Sequence, residues 1–532
     1  MRIRTGTGLI GAALAVTLAV PAGAAAASST AARLGTGGSP IVQTDRGAVR
    51  GVRAAGVDSF LGIRYAAAPI GDLRWQPPQR AARWSGVAPA TAYGSRCPAA
   101  ASTNGPRTET EDCLFVNVQR PAGLRTGDRR PVYVFIHGGG LLNGSSNQAD
   151  MAAMVQTTGV VGVTFNYRLG VLGFLSVPAL TAEAGESGNY GFQDQQAALR
   201  WIHRNIARFG GDPARVTLGG ESAGGWSVCG HLVAPGSRGL FSQAMIQSGS
   251  CLSRTQEQAE TAGTAIAAAV GCTDPATVTV CLRGTPTARL IDAPGGGFAL
   301  VHGTPTLPGA PAREVTAGRF ARVPVVIGAN RDEGRTFAQG FIGATREQYV
   351  TWVRSTFGGD ADAVLVRYPW PADADRFTPA YLIGAIQTDA GLVAGIGGCA
   401  TRRLTRDVAR WTPTWAYEFA HRTGPGLTPI PGYVWGAGHA AELAYLFPSF
   451  DNGTPIAPTF DAAERRLARD MKRYWGAFTL RGTPNAAGLT RWPRYDRTGA
   501  VMSLRAGGRS HPISDRRFVA EHQCRFWDRL AT

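Results

Sequence analysis

The clearest chemical signature of this chain is the run Gly220-Glu221-Ser222-Ala223-Gly224, which follows the β-branched segment 215–218. A strand followed by Gly-x-Ser-x-Gly is typical of a nucleophile elbow, a sharp turn that exposes a serine hydroxyl at the start of a helix. Glycines leave room for such a turn, and the helix N-terminus favours developing negative charge. Ser222 is therefore the candidate nucleophile. Because the chain contains 70 glycines, the pentapeptide can also arise by chance, and the surrounding motifs have to support it.

A second motif lies upstream, where three glycines follow a predicted strand. Residues 132–136 are apolar and mostly β-branched, and His137 and the triplet 138–140 come directly after them. Backbone N–H groups that no side chain shields can converge there on one point, as an oxyanion hole requires. A loose glycine turn is the alternative. Acyl-transfer enzymes place a strand with His-Gly-Gly-Gly before a strand with an elbow serine, so the two motifs together predict hydrolase chemistry.

A serine hydroxyl also needs a base to take its proton and a carboxylate to orient that base. If the chain order is serine, acid, histidine, the base follows Ser222. Four of the later histidines are poorly placed, in the helix after the elbow, at a strand end or in the polar C-terminal segment: His231, His421, His511 and His522. His439 lies in a glycine-rich loop before a predicted helix and is the best candidate.

The acid is predicted to follow another strand, at residues 323–328. Asp332 and Glu333 both come shortly after it. Position alone does not separate these two carboxylates.

The elements that carry these groups alternate along the chain. Apolar segments of strand length recur at 132–136, 159–166, 216–218, 244–247, 323–328 and 414–419. Between them are helix-like stretches such as 193–208, in which apolar residues recur at helical spacing. This alternation predicts an α/β fold, with a large and mostly parallel central sheet covered by helices on both faces. Ser222 then lies at the carboxyl ends of the strands, where such sheets bind ligands.

The N-terminus differs from the rest of the 532-residue chain. Arg2 and Arg4 precede an apolar stretch at 9–20, and an alanine-rich run at 22–27 follows it. This pattern predicts a secretory signal peptide over residues 1–27, cleaved near its end, and a secreted protein with a single domain over 28–532. A membrane anchor is the alternative, but the apolar stretch is shorter than the roughly 20 residues that span a bilayer. No stable membrane insertion is expected.

Charge and cysteine content indicate which partners the protein can bind and whether its compartment is oxidising. The net charge is +17, but the arginines are scattered and form no basic block, which argues against nucleic-acid binding. Eight cysteines in an exported chain can pair, since oxidation is permitted outside the cytoplasm. Proximity favours Cys97 with Cys113 and Cys272 with Cys281, and leaves the rest undecided.

The chain resembles the type-B carboxylesterase and cholinesterase family of α/β-hydrolases, over a span from about Gly62 to Cys524. Several long signatures occur in the order of that family: Gly62-Ile63-Arg64-Tyr65-Ala66, Glu111-Asp112-Cys113-Leu114, Asn166-Tyr167-Arg168-Leu169-Gly170, Gly188-Asn189-Tyr190-Gly191 and Phe209-Gly210-Gly211-Asp212-Pro213. The resemblance implies the α/β-hydrolase fold and a triad of Ser222, Glu333 and His439. It is the resemblance, and not the spacing, that selects Glu333 over Asp332.

The same resemblance implies further assignments. The oxyanion donors would be the N–H groups of Gly139, Gly140 and Ala223, and Glu221 and Ser248 would support the histidine. The implied disulfides are Cys97–Cys113, Cys272–Cys281 and Cys399–Cys524. A bridge between Cys229 and Cys251 lies outside this common set and is a separate prediction. No metal or cofactor is implied.

The chain also departs from its relatives. Cholinesterases carry a tryptophan in the loop closed by their first disulfide, where it can bind a quaternary ammonium group. The loop between Cys97 and Cys113 contains no aromatic residue, which disfavours a choline ester. Leu141 and Leu142 instead predict an apolar pocket wall.

The sequence therefore predicts a secreted serine carboxylesterase that hydrolyses small-molecule esters through an acyl-enzyme. A lipase is the closest alternative, although no long amphipathic insert for a lid is visible. A non-catalytic adhesion homologue is a second alternative, disfavoured because every triad position is filled. The oligomeric state and the physiological ester stay open.

Overall fold

The computed structural model describes residues 38–295, 297–427 and 430–530. The expected signal peptide, residues 1–27, lies outside these ranges. The strands are β1 Ile41–Gln43, β2 Ala48–Arg50, β3 Val52–Ala54, β4 Val57–Arg64, β5 Val87–Pro89, β6 Phe115–Pro121, β7 Arg130–Ile136, β8 Val161–Phe165, β9 Gly211–Glu221, β10 Gln243–Gln247, β11 Ser253–Thr255, β12 Leu300–His302, β13 Val325–Asn330, β14 Thr414–Phe419, β15 Val501–Leu504 and β16 His511–Ile513.

Helices separate most of these strands. They are α1 Ala152–Thr158, α2 Gly170–Phe174, α3 Pro178–Ala184, α4 Tyr190–Asn205, α5 Ala223–Val233, α6 Gln256–Ala269, α7 Val278–Gly284, α8 Thr287–Ile291, α9 Pro311–Thr316, α10 Gly334–Phe337, α11 Arg346–Phe357, α12 Ala361–Arg367, α13 Thr378–Ala390, α14 Gly398–Ala409, α15 Leu443–Leu446, α16 Ala462–Arg481, α17 Tyr495–Thr498, α18 Asp515–Glu521 and α19 Cys524–Leu530. None of them, within the described ranges, is long and apolar enough to cross a membrane.

The central sheet has eleven strands in the order β16-β15-β14-β13-β10-β9-β7-β8-β6-β4-β3. From β8 to β15 every neighbouring pair is parallel. The strands at the two ends of the sheet pair antiparallel. The prediction of an α/β fold with a mostly parallel central sheet is confirmed.

Both faces of this sheet are buried, as β7 illustrates. Val132, Val134 and Ile136 belong to one hydrophobic cluster, whereas Tyr133 and Phe135 belong to the other. Successive side chains of a strand point to opposite faces, so the two clusters lie on the two sides of the sheet. Helices α4 and α5 contribute apolar residues to the first cluster, and α13 and α16 to the second. Helices thus cover both faces, which explains the continuous apolar runs in the strands.

The predicted segments differ from the observed ones mainly at their ends. The helix predicted over 193–208 begins at Tyr190 and ends at Asn205, where a 3-10 turn, Ile206–Phe209, continues the chain. The strand before Ser222 is much longer than predicted, because β9 begins at Gly211 and pairs with β7 and β10. His522 was expected in a polar tail, and this was wrong, since it is buried and lies between α18 and α19.

The eight cysteines form four disulfides in the structure. The pairs are Cys97–Cys113, Cys229–Cys251, Cys272–Cys281 and Cys399–Cys524. The second pair ties helix α5, which begins next to Ser222, to the segment after β10. The fourth ties α14 to α19 across 125 residues of sequence.

Candidate active site

Ser222 occupies a strained turn between β9 and α5. Its φ of 56° and ψ of −122° lie in a region that residues with a side chain rarely adopt. The turn is fixed by a hydrogen bond from the Ser222 N–H to the Gln247 carbonyl, at 2.9 Å. Such geometry is that of a nucleophile elbow, and it leaves Ser222 at the edge of an open cavity.

The glycines around Ser222 are required by close contacts between backbones. A Cβ atom on Gly220 would lie 2.4 Å from the Gly224 carbonyl oxygen, and one on Gly224 would lie 2.1 Å from that of Ile136. Real Cβ atoms do not approach oxygen so closely. The elbow is therefore packed tightly against the end of β7, which carries the glycine triplet.

The triplet itself lies beside the serine. A Cβ atom on Gly138 would lie 2.9 Å from the Cβ atom of Ser222. Gly139 and Gly140 have φ values of 103° and 66°, and within the described residues their N–H groups donate to no protein acceptor. The N–H of Ala223, at the first position of α5, has no acceptor within its helix. Three N–H groups are thus available close to Ser222, as an oxyanion hole requires.

His439 is held by a carboxylate at one ring nitrogen. Its Nδ1 lies 2.6 Å from Glu333 Oε2, and both side chains are buried. The other carboxylate oxygen of Glu333 accepts a hydrogen bond from the backbone N–H of Asn330, also at 2.6 Å. Glu333 is therefore fixed at the end of β13 and orients the imidazole with Nε2 free for chemistry.

His439 Nε2 and Ser222 Oγ do not hydrogen-bond in this structure. Within the described residues Ser222 Oγ makes no hydrogen bond, and Nε2 lies 3.2 Å from Glu221 Oε1. That contact is too poorly aligned to be a hydrogen bond, since Glu221 Oε1 has no hydrogen-bond partner. Ser222 and His439 line the same cavity, and hydrogen bonds of this kind often tighten only when substrate binds.

The carboxylates around His439 shift its charge state. Burial alone would lower the pKa of His439, but the charges of Glu221 and Glu333 outweigh burial and raise it to about 9. Burial raises the pKa of Glu221 to about 8, and the neighbouring carboxylates add to this rise. When Glu221 carries a proton, His439 faces one negative charge fewer and becomes more readily neutral, which is the form a base needs.

One member of this cluster was missed by the sequence analysis. Glu442 is fully buried, accepts a hydrogen bond from Asn330 Nδ2 at 2.7 Å, and has a pKa raised to about 7 by burial and by the charge of Glu333. Its position three residues after His439, just before a predicted helix, was the only available signal, and it does not determine where the side chain points. Glu442 is a third carboxyl group whose charge acts on His439.

Asp332, the alternative acid, forms hydrogen bonds with other groups and not with His439. Its carboxylate accepts two hydrogen bonds from Arg422, both at 2.8 Å, and one from the N–H of Ala437. Ser248 is fully buried, but its hydroxyl makes no hydrogen bond to His439 or to any other described residue.

The four histidines that the sequence disfavoured as the base have partners or positions of their own. Three of them are buried and bind other side chains: His231 contacts Gln195 and Ser237, His421 contacts Glu464, and His522 contacts Asp389 and Glu418. The fourth, His511, is exposed at the edge of the sheet. None of them lines the cavity at Ser222.

The cavity has a volume of about 370 Å³ and an apolar wall. Leu142, Trp226, Phe337 and Phe447 contribute to that wall. Leu141, predicted to line it with Leu142, is instead fully buried in the core. Among the described lining residues, the only titratable side chains are His137, Glu221 and His439. Because burial lowers the pKa of His137 to about 4, this side chain is neutral near pH 7.

Comparison with known proteins decides the family. The model of the family described as "Carboxylesterase family" matches residues 38–527. The chain belongs to the carboxylesterase family.

Curated relatives of this carboxylesterase match over most of their length. Fumonisin B1 esterase of Sphingopyxis macrogoltabida is 34% identical, covering 87% of this chain and 85% of the relative. Acylcarnitine hydrolase of Mus musculus is also 34% identical and covers 87% of each chain. Among solved structures, a thermophilic PNB esterase superposes with a TM-score of 0.76 at 27% identity, over 91% of this chain and 99% of that one. The carboxylesterase is thus a carboxylic ester hydrolase with the α/β-hydrolase fold.

Proposed function

We propose that this carboxylesterase hydrolyses neutral, apolar esters through an acyl-enzyme on Ser222. The observation that carries the proposal is the buried pair of His439 and Glu333, 2.6 Å apart, in the cavity that also exposes Ser222. Glu221 is proposed to support the histidine by the contact described above, whereas no contact among the described residues supports the same role for Ser248.

The proposed reaction has two halves. Ser222 Oγ attacks the ester carbonyl carbon while His439 Nε2 takes the hydroxyl proton, and Glu333 stabilises the imidazolium. The carbonyl oxygen becomes an oxyanion that accepts hydrogen bonds from the N–H groups of Gly139, Gly140 and Ala223. The C–O bond to the alcohol then breaks, His439 returns its proton to the alcohol, and acyl-serine remains. Water repeats the cycle, which releases the acid and restores the serine.

The charge of the cavity supports a neutral substrate. No arginine or lysine lines it among the described residues, and His439 is already paired with Glu333, so an anionic acyl or alcohol group would be buried without a free opposite charge. The names of the relatives refer to fumonisin B1, acylcarnitine and cocaine. Their range does not select a substrate for this chain, whereas the apolar wall favours alkyl or aryl esters.

The test uses Ser222→Ala with p-nitrophenyl butyrate and a fluorophosphonate probe. We expect kcat to fall by about 10⁴-fold or more and probe labelling to disappear. Ser355→Ala, on the exposed face of α11, is the matched control and should keep both. Turnover of Ser222→Ala near the wild-type rate would refute the assignment, and an unlabelled wild type would favour a binding protein.

We further propose that the protein is secreted as one domain over residues 28–532 after loss of residues 1–27. Four disulfides support an oxidising compartment. Mass spectrometry of the protein from culture medium should show cleavage near the end of the 1–27 segment and a mature N-terminus at about residue 28, with all eight thiols oxidised. An uncleaved chain confined to the cells would contradict this.

A further inference from the structure

A second cavity adjoins the one at Ser222. It has a volume of about 200 Å³ and shares Leu142 and Asn143 with the first. Its wall comes from the loop 98–101, the start of α2, residues 290–295 and Phe298. Asn143 is the only polar side chain among the described residues that line it. The second cavity is therefore an apolar chamber separated from the reactive one by two residues.

The walls of this chamber are held in place before any ligand binds. The disulfide Cys97–Cys113 anchors the loop, and Ala99 and Thr108 exchange two backbone hydrogen bonds across it. Arg107 then links the loop to the opposite wall, because its guanidinium donates to Asp292 at 2.6 Å and to the Ala288 carbonyl at 3.3 Å. A chamber with fixed walls costs little ordering when it is filled.

Leu142 forms the partition between the two cavities. It is 42% exposed, although Leu141 beside it is fully buried. The N–H groups of Leu142 and Asn143 both donate to the Gly139 carbonyl at 3.0 Å, so the partition belongs to the loop that carries the proposed oxyanion donors. An ester with its carbonyl at Gly139 therefore lies directly beside the partition.

We propose that the second cavity binds a phenyl-sized apolar arm of the ester, reached across Leu142. This inference rests on the proposed function of Ser222. An apolar cavity of about 150 Å³ in another protein stays dry and binds benzene, so a chamber of about 200 Å³ has room for a phenyl ring or a short branched alkyl group. Esters that carry such an arm on a short flexible chain use both cavities, whereas esters without it, such as ethyl acetate, use only the first.

The test fills the chamber without touching the reactive cavity. Ala293 lines only the second cavity and is partly buried, so Ala293→Trp places a large ring inside it. Val280→Trp, at an exposed position of α7, is the matched control. Two substrate series identify the part of the ester that carries the arm: p-nitrophenyl acetate, phenylpropionate and phenylvalerate for the acyl side, and acetates of ethanol and of phenylalkanols for the alcohol side.

We expect Ala293→Trp to lower kcat/KM at least about tenfold for the phenyl-bearing esters of one series and to leave p-nitrophenyl acetate within about twofold. Val280→Trp should change neither. If wild type and Ala293→Trp have equal kcat/KM on every phenyl-bearing ester and both hydrolyse p-nitrophenyl acetate, the second cavity does not bind an arm of the ester. The proposed function would then stay intact. A wild type that hydrolyses neither p-nitrophenyl acetate nor ethyl acetate would instead overturn the proposed function. If thermal unfolding shows that Ala293→Trp does not fold, Ala100→Trp, at a partly solvent-facing position that also lines the chamber, fills it instead and is judged by the same outcomes.

Discussion

The imidazole of His439 lies between two carboxylates, Glu333 at Nδ1 and Glu221 near Nε2. Only Glu333 is aligned as a hydrogen-bond partner. Glu221 therefore acts on His439 through charge, and its own protonation decides how strongly the proton on His439 is held.

Glu221→Gln tests this electrostatic role. The carboxylate favours the protonated imidazole and raises the pKa of His439, so a neutral amide should lower that pKa. Because His439 must be neutral to act as the proposed base, the acidic limb of the kcat/KM profile should move to lower pH. Glu257→Gln, remote on α6, is the control and should leave the profile unchanged. An acidic limb that stays in place or moves upward would contradict this role of Glu221.

Glu333 and Asp332 are adjacent carboxylates with different partners, and matched variants separate them. Glu333→Gln should lower kcat by about 10⁴-fold, as loss of the orienting carboxylate does in other serine hydrolases. Asp332→Asn removes the pairing with Arg422, half-exposed at the surface, and should change kcat only a few-fold. Steady-state kinetics on p-nitrophenyl butyrate measure both. The reverse ranking would show that Asp332 is the acid.

At the scale of elements, the elbow depends on how closely β9, α5 and β7 approach one another. Parallel pairing of β7 with β9 brings the glycine triplet beside Ser222, and β13 brings Glu333 to the same edge of the sheet. The loop before α15 adds His439. Groups that are far apart in the sequence thus meet because the strands that precede them end at one edge.

Gly224→Ala tests this packing. The added Cβ would lie 2.1 Å from the Ile136 carbonyl oxygen, and backbone on both sides would have to shift. We expect a loss of about 3 kcal/mol in the free energy of unfolding, measured by urea denaturation, and a loss of activity. Gly284→Ala, where nothing lies within 4 Å of the added atom, is the control. Unchanged stability of Gly224→Ala would mean that the elbow is looser than described.

At the scale of the whole molecule, the C-terminal helices are fixed to the sheet by His522. Its ring nitrogens lie 2.7 Å from Asp389 on α13 and 2.6 Å from Glu418 on β14. Burial alone would lower the pKa of His522, but hydrogen bonds and charge from these two carboxylates raise it to about 10. The Cys399–Cys524 disulfide closes the same region.

The raised pKa gives stability a pH dependence. A histidine whose pKa rises from 6.5 in the unfolded chain to about 10 in the folded one stabilises fully below pH 6.5 and loses that contribution between pH 6.5 and 10. The difference in urea midpoint between wild type and His522→Gln should therefore be largest near pH 6 and shrink by pH 9.5. His511→Gln, at the exposed sheet edge, is the control. A difference that grows with pH would show that His522 is buried in its neutral form.

The sequence by itself determined the α/β class, because buried strands and amphipathic helices alternate with periods that can be counted. It also located the elbow at Ser222 and the glycine triplet, since both depend on residues that are neighbours in the chain. It left Asp332 and Glu333 unresolved from position alone, and missed Glu442, because the direction of a side chain after a strand depends on what packs around it.

Only the tertiary structure decided the partners of these groups. Arg422, 90 residues away, holds Asp332, while His439, 106 residues away, lies at Glu333. The second cavity behind Leu142 is likewise formed by segments that no local pattern connects. Contacts between distant segments are determined by the packing of the whole core. The periodicity of residues within one segment does not predict them.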